Sequence, residues 1–110
     1  CTGPAHWELL LRARALDTQA FVAGVAPARD ASPGSCYVSW AHSTVVDPWG
    51  TVLCCSDNTD NANDVFTVTL KQSEVERVRS SIPVLQNKRH DVYELQWKQQ
   101  QQQQKPAGTP

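Results

Sequence analysis

The sequence of 110 residues predicts an α/β fold in which a small sheet is covered by helices. Three observations carry this prediction: helical spacing of apolar residues from Thr2 to about Thr18, short β-rich segments at 20–25, 43–46, 51–54 and 65–70, and a return to helical spacing at Val75, Val78 and Ile82. Their order, helix, strand, hairpin, strand, helix, is that of a layered protein. It is not that of a bundle or an all-β sandwich.

Thr2 and Gly3 are cap candidates for the first helix, and Pro4 falls in the first turn, where its missing N–H costs nothing. At 100° per residue, Trp7, Leu9, Leu10, Leu11, Ala13 and Leu16 spread over most of the circumference, and only the ridge of Glu8 and Arg12 is clearly polar. The helix is therefore expected to be covered on more than one side. Arg14 and Asp17 fall inside the apolar arc three residues apart. A lone ion buried there would cost several kcal/mol, so a hydrogen-bonded pair is expected.

Ala20 to Val25 is a continuous apolar run, the pattern of a strand buried on both faces, and 26–35, with Pro27, Pro33 and Gly34, is a loop. Ser43 to Val46 and Thr51 to Cys54 read as a hairpin closed by Asp47-Pro48-Trp49-Gly50, with Asp, Pro and Gly where a type I turn favours them. A polar loop is expected at 56–64. Val65 to Leu70 alternates, with Phe66, Val68 and Leu70 on one face, and predicts a strand covered mainly on one side. Thr69 and Gln72 have capping-box spacing before the second helix, which Pro83 ends. Residues 84–97 read as an extended arm that needs another surface to cover it. The folded part is thus expected to be 1–97, and 98–110, with glutamines at 99–104, a disordered tail.

Ten Lys and Arg against eleven Asp and Glu give a formal charge of -1, which offers no electrostatic basis for binding nucleic acid or an anionic membrane. No apolar run approaches the roughly 18 residues of a membrane span. No charged segment followed by an apolar one opens the chain as a signal peptide would. A soluble protein is expected, and the start at Cys1, almost directly before a helix, reads as a piece of something longer. The four cysteines, Cys1, Cys36, Cys54 and Cys55, are expected to be reduced thiols of an intracellular protein, because neighbouring strand residues face opposite ways and Cys54–Cys55 pairing would be strained.

His42, Ser43 and Asp47 suggest a Ser-His-Asp triad on composition alone. Adjacent strand residues cannot serve one another, however, and Asp47 already starts the turn, so structural roles are expected. No C-x-x-C or H-x-x-x-H spacing joins His6, His42, His90 and the cysteines, and the 57–64 loop lacks the central Gly and closing Glu of a calcium loop; no metal or cofactor is predicted. None of the four cysteines has an evident base beside it, so none is predicted to be a nucleophile. The candidates for contact with a small molecule are Thr2, His6 and Trp7, clustered at a helix N-terminus whose unpaired N–H groups and dipole favour a carboxylate. Their alternative roles are capping for Thr2 and packing for Trp7.

Thr2-Gly-Pro-Ala-His-Trp7, then Arg14-Ala15 with Asp17 and Gln19, then His42-Ser-Thr-Val-Val-Asp-Pro-Trp-Gly50 resemble, in order, the closing part of a carbon–nitrogen hydrolase of the nitrilase superfamily, in its omega-amidase branch. Weaker echoes are Pro27-Ala-Arg-Asp30, Ile82-Pro-Val84 and Lys88-Arg89 with Asp91 and Tyr93, and the similarity runs from Thr2 to about Tyr93. Departures are Thr18 where the family usually has Asn, Ala41 where it usually has Gly, and Thr69 where an Asp often precedes the second helix. The Asn-rich loop and the glutamine run have no counterpart.

The resemblance implies the C-terminal part of a four-layer alpha-beta-beta-alpha sandwich, commonly completed by homodimerisation. It also implies hydrolysis of monoamides of dicarboxylic 2-oxo acids, such as 2-oxoglutaramate and 2-oxosuccinamate, with release of ammonia. In that family a cysteine forms the thioester, a glutamate is the base and a lysine stabilises the tetrahedral intermediate. None of these motifs is matched, so no catalytic residue is assigned, and the chain alone is expected to be inactive. The other class of function is a noncatalytic interaction protein that keeps the terminal half of the fold. A cytoplasmic location is expected, with mitochondrion or plastid as alternatives.

Overall fold

The computed structural model describes residues 2–30, 32–56 and 65–97. Helix α1 (Gly3–Thr18) is followed by a three-stranded antiparallel sheet of β1 (Val22–Gly24), β2 (Thr44–Val46) and β3 (Val52–Cys55), in that spatial order, and then by helix α2 (Gln72–Ser81). Val22 stands opposite Val46 and Gly24 opposite Thr44, so β2 is the central strand.

The helix ends depart from the expected chemistry. Thr2 occupies the N-cap position with helical dihedrals (φ -89°, ψ -16°), and its side chain makes no capping bond; its carbonyl instead accepts the His6 N–H at 2.9 Å. At the other end Gln19 adopts the left-handed region (φ 50°, ψ 49°), with Gln19 N–H bonded to the Leu16 carbonyl and Ala20 N–H to that of Ala15. These two bonds are those of a Schellman ending, here built on glutamine where glycine is usual. Gln19 is buried, and its Nε2 donates to the Ile82 carbonyl at 2.7 Å, joining the end of α1 to the end of α2. For α2 the cap position falls on Lys71, which makes no side-chain bond, so Thr69 and Gln72 form no capping box.

One line of α1 packs on the sheet: Ala15 is fully buried, and Trp7 and Leu11 lie against Gly24 of β1. Thr44 and Val46 of β2 are buried with it, whereas Val45 between them is only half-buried, as strand alternation requires. Coverage of α1 on more than one side is not found. Leu9 and Leu10 are 63% and 64% exposed, because the described elements provide a single sheet face for the helix. The Arg14–Asp17 pair is not found either: both residues are exposed and no ion pair joins them. Arg14, left in solvent, pays no desolvation cost that would demand a partner. β1 is likewise covered on one face, with Ala23 exposed between half-buried Val22 and buried Gly24.

The hairpin follows its sequence closely. Gly50 N–H donates to the Asp47 carbonyl at 3.0 Å, closing the turn, while Asp47 Oδ1 accepts the N–H groups of Trp49 at 2.9 Å and Thr51 at 2.8 Å. Gly50 sits at φ +83°, the left-handed position of a three-residue hairpin loop. Pairing then shifts: Val46 faces Val52 but Val45 faces Cys54, leaving Leu53 as the extra residue of a bulge. Arg12 Nε donates to the Gly50 carbonyl at 2.9 Å, and Arg12 also pairs with Glu8, so the polar ridge of α1 holds the turn.

Residues 65–70 form no strand; they run as an exposed segment with Val68 half-buried. Alternation alone cannot make a strand without a partner edge, and none among the described residues pairs with it. Val78 of α2 is buried, and Arg77 lies 5.7 Å over the Trp49 ring, which fixes α2 beside the hairpin turn. The 84–97 arm is uncovered, with Leu95 and Trp97 more than nine-tenths exposed at 96% and 91%. Most of the 56–64 loop and all of the 98–110 tail lie outside the described residues.

Replacing Asp47 by Ala removes the acceptor of two turn N–H groups and is expected to destabilise the chain by about 1–2 kcal/mol in urea denaturation. Asp91 offers a second test. The Arg89 guanidinium holds its carboxyl below the ordinary aspartate value, so Arg89→Gln is expected to raise the Asp91 titration midpoint followed by carboxyl NMR.

Candidate functional site

The N-terminus of α1, the residues after β1 and the segment before β2 enclose an open pocket of about 580 Å³. Its lining includes Thr2, Gly3, Trp7, Val25, Tyr37 and Trp40. This size falls within the range of small-molecule sites, about 300–1,000 Å³. Of the sequence-predicted residues, Thr2 and Trp7 line it. His6, exposed on the first turn of α1, does not.

Each wall has a local cause. Pro4 has no N–H, so the backbone donor that the helix start offers to the pocket lining is the Gly3 N–H, which precedes the intrahelical ladder. The Thr2 hydroxyl, with no capping bond, adds a second polar group. Trp7 offers only its ring, because its Nε1–H donates to the His42 carbonyl at 2.7 Å. A Cβ on Gly3 would stand 2.4 Å from Trp40 Cγ, so the absence of a side chain at Gly3 is what lets the helix start approach Trp40.

The facing wall, 39–43, lies outside the strands yet is heavily bonded. Ser39 Oγ accepts the Ala41 N–H at 3.0 Å, the His42 imidazole bonds the Trp40 carbonyl, and Thr44 Oγ1 donates to the His42 carbonyl at 2.6 Å. Ser43 Oγ ties this segment to the other side of the pocket by accepting the Ala26 N–H at 3.0 Å and donating to the Ala26 carbonyl at 3.2 Å. Ala41 (φ 58°) and His42 (φ 59°) are both left-handed, a conformation that costs a residue with a Cβ about 1–2 kcal/mol. That geometry is one a glycine would adopt more readily than Ala41.

The same bonds dispose of a triad. Ser43 is committed to Ala26, His42 to Trp40 and Asp47 to the turn, so none of the three serves another. Cys36 and Cys55 are exposed and Cys54 half-buried, all as free thiols; Cys1 lies outside the described residues. Among the described residues no three His, Cys, Asp or Glu gather as metal ligands, and no helix is long and apolar enough to cross a membrane.

Trp40, Tyr37 and Ser39 were not singled out from the sequence. The neighbouring 42–50 segment reads as strand and turn and gives no sign of the left-handed kink at 41–42.

The family described as carbon-nitrogen hydrolase matches residues 1–80. The chain belongs to that family. It is 47% identical over 97 residues to the human omega-amidase NIT2, covering 88% of this chain and 33% of that protein. With nitrilase homolog 2 of Dictyostelium discoideum it shares 47% identity over 94 residues, covering 86% of the chain and 27% of the relative. The chain thus spans about a quarter to a third of the length of these curated relatives. Among solved structures, the C. elegans NitFhit protein superposes with a TM-score of 0.63 at 38% identity, over 84% of this chain and 21% of that one. Saccharomyces cerevisiae Nit3, a member of branch 10 of the nitrilase superfamily, gives 0.64 at 31%, over 81% of this chain and 30% of that one. The α/β fold is therefore that of the nitrilase superfamily.

Two substitutions probe the pocket. Ala41→Gly is expected to raise stability by about 0.5–1 kcal/mol, since relief of the left-handed Cβ outweighs the added chain entropy. Gly3→Ala is expected to lower stability by about 1–3 kcal/mol through overpacking against Trp40. Urea midpoints measure both.

Proposed function

We propose that the chain is the closing, C-terminal portion of an omega-amidase-like carbon–nitrogen hydrolase. The reading rests above all on the 47% identity over 97 residues to a protein named omega-amidase. The substrates are monoamides of dicarboxylic 2-oxo acids, 2-oxoglutaramate and 2-oxosuccinamate, and the product is ammonia. The thioester-forming Cys, the basic Glu and the Lys of the family lie outside these 110 residues. The chain contributes scaffold and one edge of the substrate pocket.

At that edge the Thr2 hydroxyl and the Gly3 N–H meet a substrate carboxylate, with the helix dipole favouring the negative charge. The Trp7 and Trp40 rings border the aliphatic stem, while His6 shares the helical turn but not the pocket lining. The uncovered faces fit the same proposal. Leu9 and Leu10 of α1 pack under the remainder of a four-layer sandwich, and the 84–97 arm crosses to a second subunit of a homodimer. Those faces are also what a noncatalytic interaction protein with the same fold would present.

The purified chain is expected to release no ammonia from 2-oxoglutaramate. A longer protein that joins it to the family's Glu, Lys and Cys segments is expected to release ammonia and to lose that activity on thiol alkylation. Ammonia release by the 110 residues alone would overturn the assignment of chemistry outside them, and a longer but inactive protein would favour the interaction role.

A further inference from the structure

The Trp40 side chain borders the pocket from a segment that no ladder holds, since 32–43 lies between β1 and β2 without strand pairing. Its position must come from local contacts. One is the bare backbone of Gly3. Another is the imidazole of His42, whose ring lies parallel to the indole, with centroids 4.3 Å apart and an interplanar angle of 5°.

The imidazole is itself held. Its Nδ1 faces the Trp40 carbonyl, which can only accept, so Nδ1 carries the proton and the ring cannot turn away without losing that bond. The left-handed φ of Ala41 and His42 folds the chain back so that residues two apart can stack. The His42 carbonyl meanwhile receives Trp7 and Thr44. Backbone and side chain of His42 therefore perform separate tasks, one tying α1 to β2 and the other bracing Trp40.

We propose that His42 is a positioning residue of the pocket, its imidazole holding the Trp40 indole in place as the wall that a monoamide substrate packs against. The substrate part rests on the function proposed above; the bracing of Trp40 does not.

Two substitutions separate the tasks. Asn tolerates the left-handed region and its amide can still donate to the Trp40 carbonyl, but it cannot stack. Phe stacks but has no donor and no ease in the left-handed region. With the chain labelled by 5-fluorotryptophan, the Trp40 fluorine line is assigned by its loss in Trp40→Phe. His42→Phe is expected to keep a dispersed Trp40 line, whereas His42→Asn moves it to the position of an exposed indole. The reverse pattern would overturn the proposal and leave His42 a purely backbone role. The Trp49 line, from the hairpin turn, reports whether each variant is folded, and His42→Ser replaces His42→Asn if that variant fails this check.

Titration with succinamate, a dicarboxylate monoamide, extends the test. Binding to His42→Asn is expected to weaken by about three- to tenfold, the worth of an aromatic stack, and binding to His42→Phe to change by less than about threefold. Equal affinities in wild type and His42→Asn would overturn the positioning role. If the wild-type lines do not respond to succinamate, the substrate reading of the pocket fails, while the Trp40 line still decides what His42 does.

Discussion

The bond from the Trp7 indole to the His42 carbonyl is the contact on which the arrangement turns. It joins the first helix to a residue two positions before the central strand, 35 positions later in the chain. With Ala15, Ala41, Val46 and Val78 as the buried apolar residues, hydrophobic burial among the described elements is small. Direction therefore comes from geometry: the indole lies over Gly24, its N–H ends on His42, and the register of α1 on the sheet follows.

Polar side chains meeting backbone carbonyls repeat that arrangement at the other junctions. Arg12 reaches Gly50 and sets the hairpin turn on α1; Gln19 reaches Ile82 and sets α2 at the end of α1; Ser43 reaches Ala26 and ties the chain leaving β1 to the chain entering β2. Each bond contributes about 0.5–1.5 kcal/mol net, so none rivals a full core. Together they fix orientation where apolar packing is one-sided. The exposed Leu9 and Leu10 mark where further apolar cover would fit.

What could be read from the sequence depended on whether the cause was local. The hairpin was legible because Asp47, Pro48 and Gly50 each answer a demand of the turn itself, and the helix spans were legible from spacing and from Pro4 and Pro83. Features that depend on a partner were not. Residues 65–70 alternate like a strand, but alternation does not supply an edge to pair with, and the apolar breadth of α1 promised cover that the described residues do not contain. Thr2 looked like a cap because threonine caps well; its dihedrals are helical and not the extended ones from which a cap hydroxyl reaches the first-turn N–H groups. The pocket was half legible: Thr2 and Trp7 came from the helix-start argument, while Trp40 needed the left-handed kink, which no composition rule places on Ala41 and His42.

That kink also shows how left-handed residues with side chains can be borne at Ala41 and His42. Two left-handed residues with side chains oppose folding by about 2–4 kcal/mol if each costs about 1–2. Against this stand the Ser39 bond to the Ala41 N–H and the Trp7 and Thr44 bonds to the His42 carbonyl, worth together about 1.5–4.5 kcal/mol at the usual net value. The two sums are comparable, so the kink is held by its neighbours and not by its own preference. A glycine at 41 would relax one side of that balance, whereas loss of the Trp7 N–H would tip it the other way. The site wall and the helix dock are for this reason a single coupled unit: the carbonyl that receives Trp7 points at it because residues 41 and 42 are left-handed, and they remain left-handed because that carbonyl is bonded.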